Sequence, residues 1–183
     1  PSGEYIVGSG ELAALIPVFS FDKMQKAIAA KDYAGEFEGI PVIKYESALY
    51  GEVKKPGLGP LHTEFDGKGN AYTSFFVSSE IVKWNIKDLK VLDRASTFYS
   101  VGHLCIPGGD SRKPNPKYLI AYNKITKDRY LPTGPELAQS AQLFDISGDK
   151  MQLILDFPTI GEPHYAQAIA AEKIKNNSVK IFK

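Results

Sequence analysis

Short runs of alternating apolar and polar residues, separated by turn-forming residues, recur along this 183-residue chain. Such alternation is typical of β-strands that bury one face, and glycine, proline, asparagine and aspartate commonly end them. The pattern predicts strands at residues 5–7, 40–45, 71–77, 81–85, 118–123, 142–145, 152–156 and 179–182. We therefore expect an all-β protein.

One segment departs from this alternation and has the features of a helix. Ser20 can cap the start of a helix, and Asp22 lies in the first turn, where a negative charge is favourable. The apolar residues that follow recur at helical spacing on one face: Met24, Ala27 and Ile28. We expect a short helix that ends near Asp32.

A weak internal repeat relates three segments, which begin at Val18, Lys83 and Leu143 and are therefore almost evenly spaced along the chain. Each contains an aromatic residue, a small polar residue and an apolar residue before a charged turn. This pattern fits the strand pair that ends each blade of a β-propeller. Three blades cannot close a ring, so we expect a partial propeller of about three blades, with one short helix insertion, from a longer protein.

Composition excludes several classes of protein. The 22 basic and 21 acidic residues give a net charge of +1, without the basic surface typical of nucleic-acid binding. No run of 18 apolar residues occurs, so we expect no membrane span. The single cysteine, Cys105, excludes an intrachain disulfide. Residues 1–4 do not resemble a signal peptide, so the protein either lacks one or this chain begins downstream of it.

The candidate chemistry centres on the three histidines of the chain, His62, His103 and His164. Each lies near glycine or proline, and stiff loops of this kind can hold imidazole in a rigid position. Imidazole is a common ligand of copper and zinc. The intervals between successive histidines are blade-sized, and equivalent loops of successive blades converge on a propeller axis. The spacing indicates a metal site of unspecified kind, although a single histidine near a turn is more often merely hydrogen-bonded.

Three further residues lie near these histidines in sequence or at a strand end. Cys105 lies two residues after His103, which permits a mixed nitrogen and sulfur ligand pair, although a buried small hydrophobic residue is the favoured interpretation. Lys124 ends a predicted strand and is either solvent-exposed or a contact for anionic substrate atoms. Glu162 could fix the tautomer of His164 or pair with Lys124.

Local motifs for other kinds of site are weak or missing. Residues 66–70 resemble a calcium loop but lack its closing acidic residue, so we interpret them as a turn. The phosphate-binding, dinucleotide-binding and nucleophile-elbow motifs are absent from the sequence.

Longer strings in the chain resemble the catalytic domain of nitrous-oxide reductase. The similarity is dense from residue 57 to residue 168, and five segments carry it: residues 59–73, 82–85, 102–104, 127–135 and 161–164. The stretch 106–109 and the short segment between Trp84 and His103 resemble the Sec-exported branch of the family.

The resemblance implies a seven-bladed propeller followed by a cupredoxin domain. It implies that His62, His103 and His164 are three of seven histidines that hold CuZ, a four-copper sulfide-bridged cluster. No histidine precedes His62, so the other four would lie upstream of this chain. Residues 1–183 would then be the C-terminal portion of the propeller domain, and the CuA-bearing cupredoxin domain is absent from the chain. Calcium is also implied for the family, but no ligand for it is assigned here.

The resemblance also implies a function and its partners. Lys124 corresponds to the active-site lysine of the family, and Glu162 to its acidic partner. The implied enzyme is a periplasmic homodimer that reduces nitrous oxide to dinitrogen and water in denitrification. CuA of the second subunit and a periplasmic donor such as cytochrome c would supply electrons, and this fragment alone would be inactive. The alternatives are a non-catalytic ligand-binding propeller and a three-histidine zinc hydrolase.

Overall fold

The computed structural model describes residues 2–10, 12–124 and 139–169, most of which form antiparallel β-structure. In chain order the elements are β1 (Tyr5–Val7), β2 (Leu15–Ser20), α1 (Phe21–Ala30), β3 (Tyr33–Phe37), β4 (Ile40–Ile43), α2 (Tyr45–Ala48), β5 (Leu49–Lys54), β6 (Pro60–Phe65), β7 (Asn70–Phe75), β8 (Glu80–Asn85), β9 (Val91–Ser96), β10 (Val101–Cys105), β11 (Tyr118–Asn123), β12 (Ser140–Asp145) and β13 (Gln152–Pro158). The predicted strand at 179–182 lies outside the described residues.

The strands form three successive blades. The first blade has the strand order β1-β2-β5, the second β6-β7-β8-β9, and the third β10-β11-β12-β13. The second and third blades are four-stranded antiparallel meanders, the unit from which propellers are built. Strand β10 packs against β6 and β7, so the first strands of these two blades are neighbours. The prediction of an all-β, partial propeller is confirmed.

An insertion separates β2 from β5 in the first blade. The predicted helix is present as α1, and the side chain of Ser20 accepts a hydrogen bond from the Lys23 N–H at 3.4 Å. The helix ends at Ala30 and is followed by the C-cap residue Lys31, whose φ of 56° lies in the left-handed region. The hairpin β3–β4 is predicted only in its second strand, and α2 is not predicted. Within the described ranges, no helix has the length and hydropathy of a membrane span.

A shared irregularity supports the internal repeat. The pairing register shifts between Val18 and Phe19 in β2, between Lys83 and Trp84 in β8, and between Leu143 and Phe144 in β12. These are the aligned positions of the three repeated segments. In each case the shift occurs where the strand pairs with the last strand of its blade. Strands β2, β8 and β12 are therefore equivalent, and the repeat predicted from sequence is confirmed.

Two hydrophobic clusters fill the spaces between the blades. Alternating residues of β7 face opposite neighbours: Ala71 and Phe75 pack towards the first blade, and Tyr72 packs towards the third. Trp84 is fully buried in the cluster shared with the first blade, and its indole N–H donates to Thr73 Oγ1 at 2.9 Å. Each blade thus buries apolar side chains on the neighbour it meets.

A buried carboxylate joins the outer strand of the second blade to the connection between β12 and β13 in the third blade. Asp93, on β9, is 9% exposed and accepts hydrogen bonds from Lys150 Nζ at 2.9 Å and from the Met151 N–H at 2.7 Å. Burial opposes ionisation of Asp93, but these bonds, with one from the Arg94 N–H, outweigh it and lower the pKa of the carboxyl. The charged form is therefore favoured by the folded state.

We expect Asp93→Asn to destabilise the protein by about 1–3 kcal/mol. The carboxylate accepts with two charged oxygens, whereas an amide has one neutral oxygen and cannot accept as well from both donors. A folded-state pKa below the unfolded value means that the stabilisation is present above about pH 4 and is lost as the pH falls through the folded pKa. Urea unfolding at pH 7 and pH 3 measures both effects. The control is Lys150→Met, which removes one donor and leaves the Met151 and Arg94 N–H bonds to the carboxylate, so it should cost less than Asp93→Asn. Equal losses in the two variants would contradict the prediction.

Candidate metal centre

Two of the three histidines lie at equivalent β-bulges. In β6, Pro60 pairs with Phe75 and Thr63 with Thr73, so two residues, the second of which is His62, oppose one residue of β7. In β10, the pairing of Val101 and of Leu104 with β11 leaves the same two-to-one count, and His103 is again the second extra residue. Bulges redirect side chains and are common beside active sites. The spacing of these two histidines therefore reflects one blade-to-blade repeat of the same local geometry.

The structure brings the three imidazoles together. The ring centroids of His62 and His103 are 4.8 Å apart, and those of His103 and His164 are 4.6 Å apart. His164 lies in the segment that follows β13. Tyr165 presents its ring edge-on to His103 at 5.6 Å and to His62 at 6.2 Å. The predicted convergence of histidines from successive blades is confirmed, and their role as ligands stays a prediction.

The ring nitrogens of two histidines differ in their hydrogen bonding. Nδ1 of His62 accepts a hydrogen bond from the Leu104 N–H at 3.0 Å. Nδ1 of His103 is buried and has no hydrogen-bond partner among the described residues. Burial, followed by the charge of Lys124 and the neighbouring imidazoles, lowers the pKa of His103 to about 4. Burial also lowers the pKa of His62, so both rings are neutral at pH 7 and offer nitrogen lone pairs.

These rings fit a metal group that takes imidazole ligands. A buried nitrogen without a partner is unfavourable unless something binds it, and neutral imidazole suits copper. In the part of the chain that the structure describes, no group of three or more histidine, cysteine, aspartate or glutamate side chains is placed to hold one metal ion. Metal binding through either nitrogen of His62 would end the bond from Leu104. A metal on Nδ1 would replace the N–H as its partner, and a neutral ring bound through Nε2 carries its proton on Nδ1, which can then no longer accept.

Lys124 lies beside the same rings, directly after β11. Its backbone N–H donates to the Ser100 carbonyl at 3.1 Å. Its side chain crosses Gly102, where an added Cβ would lie 2.1 Å from Lys124 Cε and 2.5 Å from Cδ. Its charge contributes to the lowered pKa values of His62 and His103. Gly102 therefore leaves the space that allows the lysine to approach the two rings.

Glu162 is exposed and precedes His164 by two residues. The Gln139 amide, oriented so that both its groups are satisfied, accepts from the Glu162 N–H at 2.9 Å and donates to the Gly161 carbonyl at 3.1 Å. These bonds attach the segment that carries Glu162 and His164 to the start of the third strand of the third blade. Gln139 was not predicted, because its separation in sequence from Glu162 has no recognisable pattern.

Known relatives of this chain include several nitrous-oxide reductases. Residues 94–164 match the family described as the nitrous oxide reductase propeller repeat. A nitrous-oxide reductase of Stutzerimonas stutzeri is 34% identical over 187 residues, which cover 97% of this chain. Those of Cupriavidus necator and Ralstonia nicotianae are each 38% identical over 175 residues, which cover 90%. The chain belongs to the nitrous-oxide reductase family.

The chain spans about a quarter of the length of these nitrous-oxide reductases: 28%, 26% and 25% of the three relatives. A chain of the solved structure titled "Crystal Structure of Mitotic Checkpoint Complex" superposes with a TM-score of 0.57 at 9% identity. The match covers 87% of this chain and 38% of that one. At so low an identity it shows likeness of fold alone.

Cys105 packs as a small buried residue in this member of the nitrous-oxide reductase family. It is 5% exposed and packs with Tyr122 and Ala141 in a hydrophobic cluster. Burial, together with the charge of Glu64, raises the pKa of its thiol. The interpretation of Cys105 as a buried small residue is confirmed.

Glu64 was not predicted as a site residue, although it lies two residues after His62 on the same strand. It is 4% exposed, and its Oε2 has no hydrogen-bond partner in the described ranges. Burial, followed by the charge of Asp110, raises the pKa of Glu64 to about 8. The side chain lines a cavity of about 170 Å³ with Cys105, Asp110 and residues 165–168.

The loop that resembles a calcium site is a turn, as predicted. Oδ1 of Asp66 accepts from the Lys68 N–H at 2.7 Å and from the Asn70 N–H at 3.0 Å. Oδ2 accepts from the Asn70 side-chain amide at 2.7 Å. The carboxylate is therefore satisfied by its own loop.

Proposed function

We propose that this chain is the C-terminal portion of the copper-binding propeller domain of an enzyme that reduces nitrous oxide to dinitrogen and water. The observation that supports this most is the contact of three imidazoles, whose ring centroids are 4.6 Å and 4.8 Å apart, in a member of the nitrous-oxide reductase family. Two of the rings come from equivalent bulges of adjacent blades. The same local geometry, repeated in adjacent blades, thus directs the His62 and His103 rings towards one site.

His62, His103 and His164 would supply nitrogen ligands to CuZ, with the remaining histidines contributed by residues outside this chain. A copper cluster of this kind supplies electrons to bound nitrous oxide. The rings suit this role because they are already crowded together and two of them are held neutral by burial. Metal binding through the ring would end the bond between Leu104 and His62.

Lys124 would act on the substrate oxygen. Reduction of one nitrous oxide to dinitrogen and water consumes two electrons and two protons, and negative charge builds on the oxygen as the N–O bond breaks. An ammonium held beside the histidines stabilises that charge and can hold a proton at Nζ for transfer to the oxygen. Glu162, on the segment that carries His164, would orient Lys124 and favour its charged form.

The remaining features of the enzyme are proposed from the family resemblance. They are a homodimer in which CuA of the second subunit delivers electrons, a periplasmic location, an electron donor such as cytochrome c, and a role in denitrification. Residues 1–183 alone would be inactive, because they carry three of the seven histidines that the family resemblance implies.

Metal analysis of the full-length protein that contains this chain tests the proposal. We expect copper and acid-labile sulfide in the propeller domain, and reduction of nitrous oxide by the reduced protein. The isolated chain serves as the matched control and should show no turnover. Zinc without sulfide would instead support the hydrolase, and absence of metal would support a non-catalytic binding propeller. Either result would contradict the proposal.

A further inference from the structure

Ser74 joins the two bulges that carry His62 and His103. It lies on β7, opposite the bulge of β6, and is fully buried. Its hydroxyl accepts a hydrogen bond from the His62 N–H at 3.2 Å and donates to the Gly102 carbonyl at 2.5 Å. One side chain therefore bonds the backbone of a bulge in its own blade and the backbone of the equivalent bulge in the next blade.

The chemistry of a bulge explains why a hydroxyl is suited to this position. A bulge interrupts the ladder and leaves backbone groups without strand partners. A serine hydroxyl has one donor and two acceptor sites, so it can satisfy an N–H on one side and a carbonyl on the other. The carbonyl belongs to Gly102, which precedes His103 in its bulge. The hydroxyl thus replaces a missing ladder bond and links the blades at the same time.

The link through Ser74 does not depend on the ring nitrogens. A second connection between His62 and the third blade is the bond from the Leu104 N–H to Nδ1 of His62. Metal binding through the ring would remove that bond. The bonds of Ser74 involve only the backbone of the bulges and would persist in the metal-loaded protein. They are therefore suited to hold the spacing of the rings when the nitrogens bind metal.

We propose that Ser74 is a positioning residue of the metal centre, whose hydroxyl sets the spacing of the His62 and His103 rings. The inference rests on the proposed function, because it assigns a purpose to that spacing. Loss of residues that orient ligands typically weakens metal affinity about 10- to 100-fold. We expect Ser74→Ala to show a loss of this size.

The experiment compares Ser74→Ala with Thr73→Val in the full-length protein. Thr73 is the neighbouring, equally buried residue, and its hydroxyl bonds Thr63 Oγ1 at 2.8 Å and the Trp84 indole rather than a bulge backbone. Both variants lose a buried hydroxyl and should lose similar thermal stability. Ser74→Cys places a larger and weaker hydrogen-bonding atom at the same position, and carries the test if the alanine variant does not fold.

Three readouts decide the inference: copper retained against a competing chelator, the visible absorption spectrum of the centre, and the crystal structure of the metal-free protein. We expect Ser74→Ala to retain less copper, to shift the spectrum and to move the two rings from their 4.8 Å spacing, while Thr73→Val changes only stability. Unchanged rings, spectrum and copper in Ser74→Ala would overturn it. If the unsubstituted protein binds no copper, the proposed function fails, while the ring spacing still tests Ser74.

Discussion

Replacement of His103 by alanine in the full-length protein is expected to abolish nitrous oxide reduction and to remove copper from the propeller domain. His103 is the middle ring of the three and contacts both others. Its buried Nδ1 has no partner among the described residues, which suits it to bind a metal. Loss of a ligand should exceed the roughly 100-fold upper effect of residues that only orient ligands.

Copper determination and nitrous oxide turnover measure the effect of His103→Ala. Copper of the proposed CuA site serves as an internal control, because that site lies outside this chain and should keep its absorption. An unaltered copper content with unaltered turnover would show that His103 is not a ligand. Loss of both copper sites together would indicate general misfolding, and His103→Asn, which is closer in shape, would then replace the alanine variant.

Lys124→Ala is expected to lower turnover by about 10²- to 10⁴-fold, the usual contribution of a positioned proton donor. Copper content and the spectrum of the centre should remain, because an ammonium is not a ligand. Steady-state reduction of nitrous oxide by the metal-loaded protein measures the loss. Turnover equal to that of the unsubstituted protein, with an intact centre, would eliminate the proposed role of Lys124.

Gly102→Ala provides a matched comparison for Lys124→Ala. It keeps the lysine but places a Cβ where the Lys124 side chain now lies, so the flexible chain must move aside. We expect a loss of turnover smaller than that of Lys124→Ala, with copper retained. Such a result would distinguish the effect of moving the Lys124 ammonium from the effect of removing it.

The sequence predicts the strands of the blades unevenly. Strands β1, β4, β7, β8, β11, β12 and β13 were predicted, as was α1, whereas β2, β3, β5, β6, β9 and β10 were not. Each of β6 and β10 contains a bulge, which interrupts the alternation on which the prediction depends. The hairpin strand β3 was missed because it is mostly exposed and lacks a buried apolar face.

The site was predictable where it depends on the repeat and unpredictable where it depends on contacts between blades. The convergence of His62, His103 and His164 followed from one histidine in each blade-sized interval. The bond from Ser74 to Gly102 spans 28 residues and has no signature in either segment. Glu64 gave a weak signal through its spacing from His62, but its burial depends on how the blades pack. Contacts of this kind are properties of the assembled propeller.

The paired bulges have a consequence for how such genes can change in length. Loops between strands tolerate insertions, and the unequal intervals between the three histidines fit that freedom. A single codon lost between Pro60 and Thr63 would instead turn the bulge into a plain ladder. Every side chain on one side of the deletion would then change face relative to those on the other. During divergence, in-frame insertions and deletions should therefore accumulate in the segments between the bulges and be removed by selection inside the bulges.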